Sequence, residues 1–275
     1  MIVLLVLLTQ LLFCAEMEAA DVYLLYSANI NGAIQNCNCG INPLGGIDRI
    51  STFQEQFRKK NQSVLTINGG DYFNSYPYPA LNHAMLEGLD HLKFDIFVPG
   101  DQEFIESQTF YDDLFRAGRP GLLLSNSRNL GASQLSFAFG DITIRFYAYL
   151  GPESFSFISK PDELILSSHL SAINKTENAV VQVLIYHGKK VLLGDLLNKY
   201  PEFNLVLVGH DQGRLIEKMG KAMVVSIGRD GEYVAVIKIS NSYRVPSFEV
   251  EYQAIDTSFT VDKNIASIKS EYGIK

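Results

Sequence analysis

The chain has 275 residues, of which 47% are hydrophobic and 19% charged, and a formal net charge of −7. This is enough apolar side chain for one large core or two small ones, and it excludes an intrinsically disordered chain. No run of cations is longer than Arg58-Lys59-Lys60, which reads as a solvated helix end. The electrostatic footprint of a nucleic-acid binder is therefore missing.

Ile2 to Phe13 is almost wholly apolar. Such a stretch is short for a bilayer span but suits the hydrophobic region of a secretory leader. Residues 1–20 are read as a signal peptide, with the small residues of Ala15–Ala20 offering a cleavage point. Residues 21–275 then form a single exported domain, periplasmic or at the cell surface, with no membrane span in the mature chain. No cation precedes the apolar run, so a buried first strand is the alternative. Cys14 is a candidate lipidation site, although bulky Phe13 precedes it. Beyond the leader only Cys37 and Cys39 remain. In an exported chain they form a disulfide, bind metal, or stay a redox dithiol.

In chain order, Val22–Ser27 reads as a strand, and a loop dense in Asn, Gly and Cys follows from Ala28 to Gly45. Gly46–Lys60 is helical, with Ile47, Ile50, Phe53 and Phe57 on one face. Ser63–Ile67 is a strand leading to Gly69-Gly70-Asp71. Ala80–Leu92 is a helix, and Phe94–Val98 a strand ending at Gly100-Asp101-Gln102-Glu103. Phe110–Ala117 is a helix and Gly121–Ser125 a strand. Ser136–Phe139 and Ile142–Leu150 flank Gly140-Asp141, a hairpin signal. Asp162–Asn178 is expected to be helical. Ala179–Tyr186 is a strand ending at His187-Gly188, Val191–Lys199 a helix, and Leu205–Val208 a strand ending at Gly209-His210-Asp211-Gln212. Met223–Ile227, Tyr233–Ile239 and Ser247–Ile255 form a meander with Asp230-Gly231 as a turn. Asp262–Tyr272 closes the chain as a helix capped by Asp262. Two β-α runs joined by hairpins imply an α/β fold with two mixed sheets packed face to face between helices.

Five polar strings follow apolar runs: Asn29-Ile30-Asn31-Gly32, Gly70-Asp71, Gly100-Asp101-Gln102-Glu103, Tyr186-His187-Gly188 and Gly209-His210-Asp211-Gln212. Ligand groups collect in loops at the carboxyl ends of strands. Asp, His, Asn and Gln are residue types that hold divalent metals. In order and spacing the strings resemble the calcineurin-like metallophosphoesterase superfamily, and within it the UshA-like 5′-nucleotidase branch with its D-x-H-G, G-D, G-N-H-E, lone His and G-H-x-H motifs. Asn36-Cys37-Asn38-Cys39-Gly40 is similar to a C-x-C subgroup of that branch.

The resemblance implies a four-layer α-β-β-α sandwich and a binuclear centre that binds phosphate. One half of that centre would be Asp71, Asp101, His187 and His210, with Asp101 where the family has Asn. This half is competent for one divalent ion: Zn, Mn or Fe. In the other half Asn29 and Asn31 replace Asp and His, and Gln212 replaces the final His. This second site reads as degenerate. Gln102 stands where the family has the His that helps protonate the leaving group, so no catalytic acid is identified. The separate nucleotidase C-terminal domain has no counterpart in the sequence.

The expected function is metal-dependent phosphoester hydrolysis, weak or lost, on a phosphorylated or anionic small molecule. Tyr72, Asn31 and Gln212 would contact the ligand. A non-catalytic ligand- or partner-binding module is one alternative, and a thiol redox protein using Cys37 and Cys39 another. Asp211 and Glu103 read as solvated loop residues or as acceptors behind the ligands. His83, His91 and His169 read as surface residues. Tyr72, Phe73, Tyr76 and Tyr78 either line a pocket or pack over the sheet edge.

Overall fold

The computed structural model describes residues 21–37, 40–115, 119–170, 173, 180–242 and 245–275. The expected leader, with Cys14, and Cys39 lie outside them. In chain order the elements are β1 (Val22–Ser27), α1 (Ile47–Lys60), β2 (Val64–Asn68), α2 (Pro79–Leu92), β3 (Ile96–Phe97), α3 (Gln108–Leu114), β4 (Leu135–Phe139), β5 (Ile142–Leu150) and β6 (Val180–Gly188). They continue with α4 (Leu193–Lys199), β7 (Leu205–His210), β8 (Arg214–Met219), β9 (Ala222–Ile227), β10 (Tyr233–Ser242), β11 (Val245–Ala254) and α5 (Lys263–Glu271).

The first sheet has the order β11-β10-β1-β2-β3 and the second β4-β5-β6-β7-β9-β8. Strands β1, β2 and β3 run parallel, as do β5, β6, β7 and β9. The parallel strands are buried on both faces, which is why β1, β2, β6 and β7 read as continuous apolar runs. The antiparallel strands sit toward the edges.

Between the sheets lies a core of Leu24, Tyr26, Ile67 and Val98 from one side and Ile144, Phe146, Val183, Ile185 and Leu207 from the other. Ile47, Ile50, Phe53, Met85, Leu89 and Ile265 pack α1, α2 and α5 onto the outer face of the first sheet. Leu193, Leu196, Leu197, Val206 and Val208 do the same for α4 on the second. The result is the expected helix–sheet–sheet–helix sandwich. At one edge, Tyr252 of β11 donates its hydroxyl to the Leu215 and Ser226 carbonyls of the second sheet, 2.8 and 2.7 Å away. Arg214 lies 3.8 Å over the Tyr233 ring beside it.

The helix ends follow local chemistry. Asp262 caps α5 by accepting from the Asn264 N–H, as expected, and Arg58, Lys59 and Lys60 fill the last turn of α1, where cations are favoured. Three expectations fail. The helix expected over Asp162–Asn178 is absent from 162–170, which carry only turns and a bridge from Leu166 to Ser127. Arg128 donates to Ile165 and Ser167 to Asn126, so the backbone here pairs across the chain rather than along it. Gly121–Ser125 makes isolated bridges, Leu122 to Phe97 and Leu123 to Ala132, instead of a strand. Strand β8 was not anticipated: its Arg-Leu-Ile-Glu-Lys-Met run alternates exposed and half-buried residues at a sheet edge.

Candidate metal centre

Asp71 and Asp101 follow the carboxyl ends of β2 and β3 in the first sheet, whereas His187 and His210 sit at the carboxyl ends of β6 and β7 in the second. The two sheets thus bring two carboxylates against two imidazoles. One ligand atom from each of the four lies within 4.8 Å of every other. His187 Nε2 is 3.2 Å from Asp71 Oδ1 and 3.3 Å from Asp101 Oδ1, and His210 Nδ1 is 3.2 Å from Asp101 Oδ1. Asp71, Asp101 and His187 are buried, and His210 is partly exposed.

The backbone that carries these groups is unusual. Asn29, Asn31, Asp71 and His210 have φ of 52°, 55°, 54° and 71°. This left-handed region is sparsely used by residues with a Cβ, and Asn, Asp and His are among those that tolerate it. Strain of this kind clusters at functional sites. Two glycines permit the close approach. A Cβ on Gly70 would meet His187 Nδ1, and one on Gly100 would meet Asp71 Oδ1 and the His187 ring.

A shell of hydrogen bonds orients the four groups. His187 Nδ1 lies 2.8 Å from the Gly69 carbonyl and donates to it, so Nε2 turns toward the carboxylates. Such an orienting partner is a regular feature of metal-ligating histidines. Asn29, fully buried, accepts from the His210 N–H at 2.8 Å and donates to the Gly228 and Asp211 carbonyls. Asn31 donates to Asp230 Oδ1 at 2.8 Å and accepts from Gln102 Nε2 at 3.2 Å. Both amides are therefore committed to bracing loops.

Glu103 is buried, and of its two readings the one that holds is the acceptor behind the ligands. Its carboxylate accepts three backbone N–H groups: Asp71 and Gly100 on Oε2, at 3.1 and 2.6 Å, and Tyr72 on Oε1 at 2.7 Å. It holds the Asp71 and Asp101 loops together. Burial and the adjacent Asp71 charge push its pKa up to about 7, against the pull of the amides. Burial also pushes the Asp101 carboxyl up, but hydrogen bonds from His187 and His210 outweigh it and hold that group well below the usual range. Burial would lower the His187 pKa, yet the Asp71 charge and the Asp101 hydrogen bond raise it well above its ordinary value.

The other expected residues fall as follows. Tyr72 and Phe73 are fully buried in the helix-side core and do not face the cluster, which corrects the expectation that Tyr72 contacts a ligand. Tyr76 and Tyr78 are exposed. Gln212 is exposed. Asp211 accepts from the Lys190 N–H at 2.6 Å, behind His210. Cys37 is exposed, is disulfide-bonded, and is not part of the cluster. His83 packs edge-on against Phe110, His91 Nε2 lies 2.8 Å from Asp262 Oδ2, and His169 is exposed outside any helix.

The same four-layer sandwich is the fold of solved calcineurin-like phosphoesterases and 5′-nucleotidases. The solved structures bear this out. The Thermus thermophilus sulfate thiohydrolase SoxB superposes with a TM-score of 0.75 at 13% identity, covering 92% of this chain and 60% of that one. A 5′-nucleotidase precursor from Thermus thermophilus gives 0.74 at 13% identity, with 92% and 58% covered. The calcineurin-like phosphoesterase YfkN from Bacillus subtilis gives 0.71 at 14%, with 92% and 97% covered. By sequence, the protein 5NUC of Lutzomyia longipalpis is 24% identical over 230 residues, 71% of this chain and 40% of that relative. No family model matches the chain. At these identities the likeness establishes the fold, and the chain spans well under two thirds of the 5NUC relative and of the SoxB and 5′-nucleotidase chains.

Proposed function

We propose that residues 21–275 form a single exported, 5′-nucleotidase-like metallophosphoesterase domain that holds one divalent cation, Zn, Mn or Fe, on Asp71, Asp101, His187 and His210, with weak or lost hydrolysis of a phosphorylated small molecule. The observation that carries this reading is the convergence of four donors within 4.8 Å, with His187 already turned by Gly69 to present Nε2. The donor set fits the ion: two carboxylates offset a double positive charge and two neutral imidazoles add no further charge. Among the described residues no helix is long and apolar enough to cross a membrane.

A divalent ion held there supplies Lewis-acid polarisation of a phosphoester oxygen and acidifies water. The chain's own residues do the rest. His187 and His210 would hold the ion through unprotonated ring nitrogens, and Asp71 and Asp101 through carboxylate oxygens. Glu103 fixes the spacing of the two acids. Gln102, an amide beside Asp101, offers no proton to a leaving group, so a general-acid contribution of about 10²–10⁴-fold is forfeited.

Metal analysis of the purified protein tests the reading. One ion per chain is expected after loading and desalting, and a stoichiometry near zero would overturn it. A non-catalytic binding module is the second reading, favoured because Asn29 and Asn31 already use both amide atoms within the protein. Turnover of bis-p-nitrophenyl phosphate or nucleotides that vanishes in Asp71→Ala would refute that alternative. The oxidised state of Cys37 keeps a thiol role in view, and a thiol titration that Cys37→Ser leaves unchanged would remove it.

A further inference from the structure

Gln102 is only 8% exposed, and its side-chain oxygen has no hydrogen-bond partner among the described residues. A buried amide oxygen left in this state gives up its hydration and gains no hydrogen bond in exchange. Its orientation is set by three side chains in series. The Asp230 carboxylate, when ionised, only accepts, so Asn31 turns its Nδ2 toward it, at 2.8 Å. Asn31 Oδ1 is thereby turned to Gln102, whose Nε2 donates to it at 3.2 Å. Reversing the Gln102 amide would set oxygen against oxygen. Oε1 is therefore the atom left over, and it is sealed from solvent.

Gln102 directly follows Asp101, and its main-chain N–H reaches Asp71 Oδ1 at 3.3 Å. Its main chain therefore borders the four-donor cluster. An ion is small enough to satisfy an oxygen that bulk water does not reach. Building on the single-ion reading above, we propose that Gln102 Oε1 is a further ligand to that ion.

The donor set then becomes three oxygens and two nitrogens. Carbonyl and carboxylate oxygens suit harder ions that take many ligands, whereas Zn is content with four. Gln102 thus biases the centre toward Mn²⁺ relative to Zn²⁺. The proton-donating imidazole that the resemblance implies at this position is replaced by an acceptor that serves the metal. Asp230 and Asn31 act as positioning residues, because they fix which end of the amide is presented.

The test is calorimetric titration of the apo protein with Mn²⁺ and with Zn²⁺, alongside electron paramagnetic resonance of the Mn²⁺-loaded form. Gln102→Met keeps the shape and removes the oxygen, Gln102→Glu keeps an oxygen, and near-UV circular dichroism checks that each variant is folded. Mn²⁺ affinity is expected to fall about tenfold or more in Gln102→Met, with a smaller loss for Zn²⁺, and the Mn²⁺ spectrum should change. Gln102→Glu should bind Mn²⁺ at least as tightly as the parent. Asp230→Asn, which unlocks the amide series, should give a partial loss. Unchanged Mn²⁺ binding and spectrum in Gln102→Met overturn the proposal while leaving the single-ion centre standing, as does Gln102→Glu binding no better than Gln102→Met. Failure of the parent protein to bind either ion overturns both.

Discussion

At the scale of the residue, the centre depends as much on what is small as on what ligates. Gly100 lies where a methyl group would meet both Asp71 and the His187 ring. Gly100→Ala should therefore push the two halves of the cluster apart and weaken ion binding by at least about tenfold, as read by calorimetry, while the far-ultraviolet spectrum changes little. Glu103 offers a sharper test. All three of its hydrogen bonds come from backbone N–H groups and engage both oxygens. In Glu103→Gln one of those oxygens becomes a donor facing a donor, whichever way the amide turns. A loss of about 1–3 kcal/mol is expected in urea unfolding, with weaker ion binding. The sequence identified the four donors because each ends an apolar run. It concealed the bracing role of Asn29 and left that of Glu103 as one of two readings, since a buried Asn and a solvated Asn are spelled alike. The one local hint was conformational: Asn, Asp and His recur where the backbone turns left-handed.

At the scale of the element, α1 carries a measurable pH signature. Asp48 in its first turn is 5% exposed, and Oδ1 has no partner among the described residues. Burial lifts its pKa to about 6, despite Arg49 nearby. The unfolded value is about 3.9. A proton therefore binds the folded state more tightly. The folded state is favoured by protonation at low pH, and a penalty grows as pH rises from about 4 through 6 and is complete above that. Asp48→Asn should remove this penalty. Urea titrations at pH 4 and pH 7.5 should show the variant more stable by up to about 2 kcal/mol at the higher pH and level with the parent at the lower. Elements with a strong period were legible: α1, α2, α5 and the fully buried parallel strands. Residues 162–170 were not, because hydrogen bonds to residues 126 and 128–129 supply what a helix would have supplied. Strand β8 was missed because apolar and charged residues do not alternate along it: Ile216 is exposed and Glu217 half-buried, as an edge allows.

At the scale of the whole molecule, an ion held on Asp71, Asp101, His187 and His210 would stabilise the fold. Ion present at about a hundred times its dissociation constant adds roughly 2.7 kcal/mol to the folded state. For a chain of this size that corresponds to a rise in melting temperature of roughly 5–10 °C, removed by a chelator and absent in His187→Ala. A melting temperature that ignores both Mn²⁺ and Zn²⁺ would count against a centre that joins the sheets. The layered architecture was legible from the alternation of strands and helices. The amide series from Asp230 to Gln102 was not, because it joins residues 31, 102 and 230, which only the packing of the first sheet's loops brings together.

Because the acids ride on one sheet and the imidazoles on the other, a cation held by all four would double as a caliper for the gap across the sandwich. Tyr252 pins the opposing layers along one margin, so loosening that rivet, as in Tyr252→Phe, would let them splay and would surface first as faster ion escape, well before any global melting. Off-rates of bound metal would then grade the tightness of the interior for substitutions far from the ligands themselves.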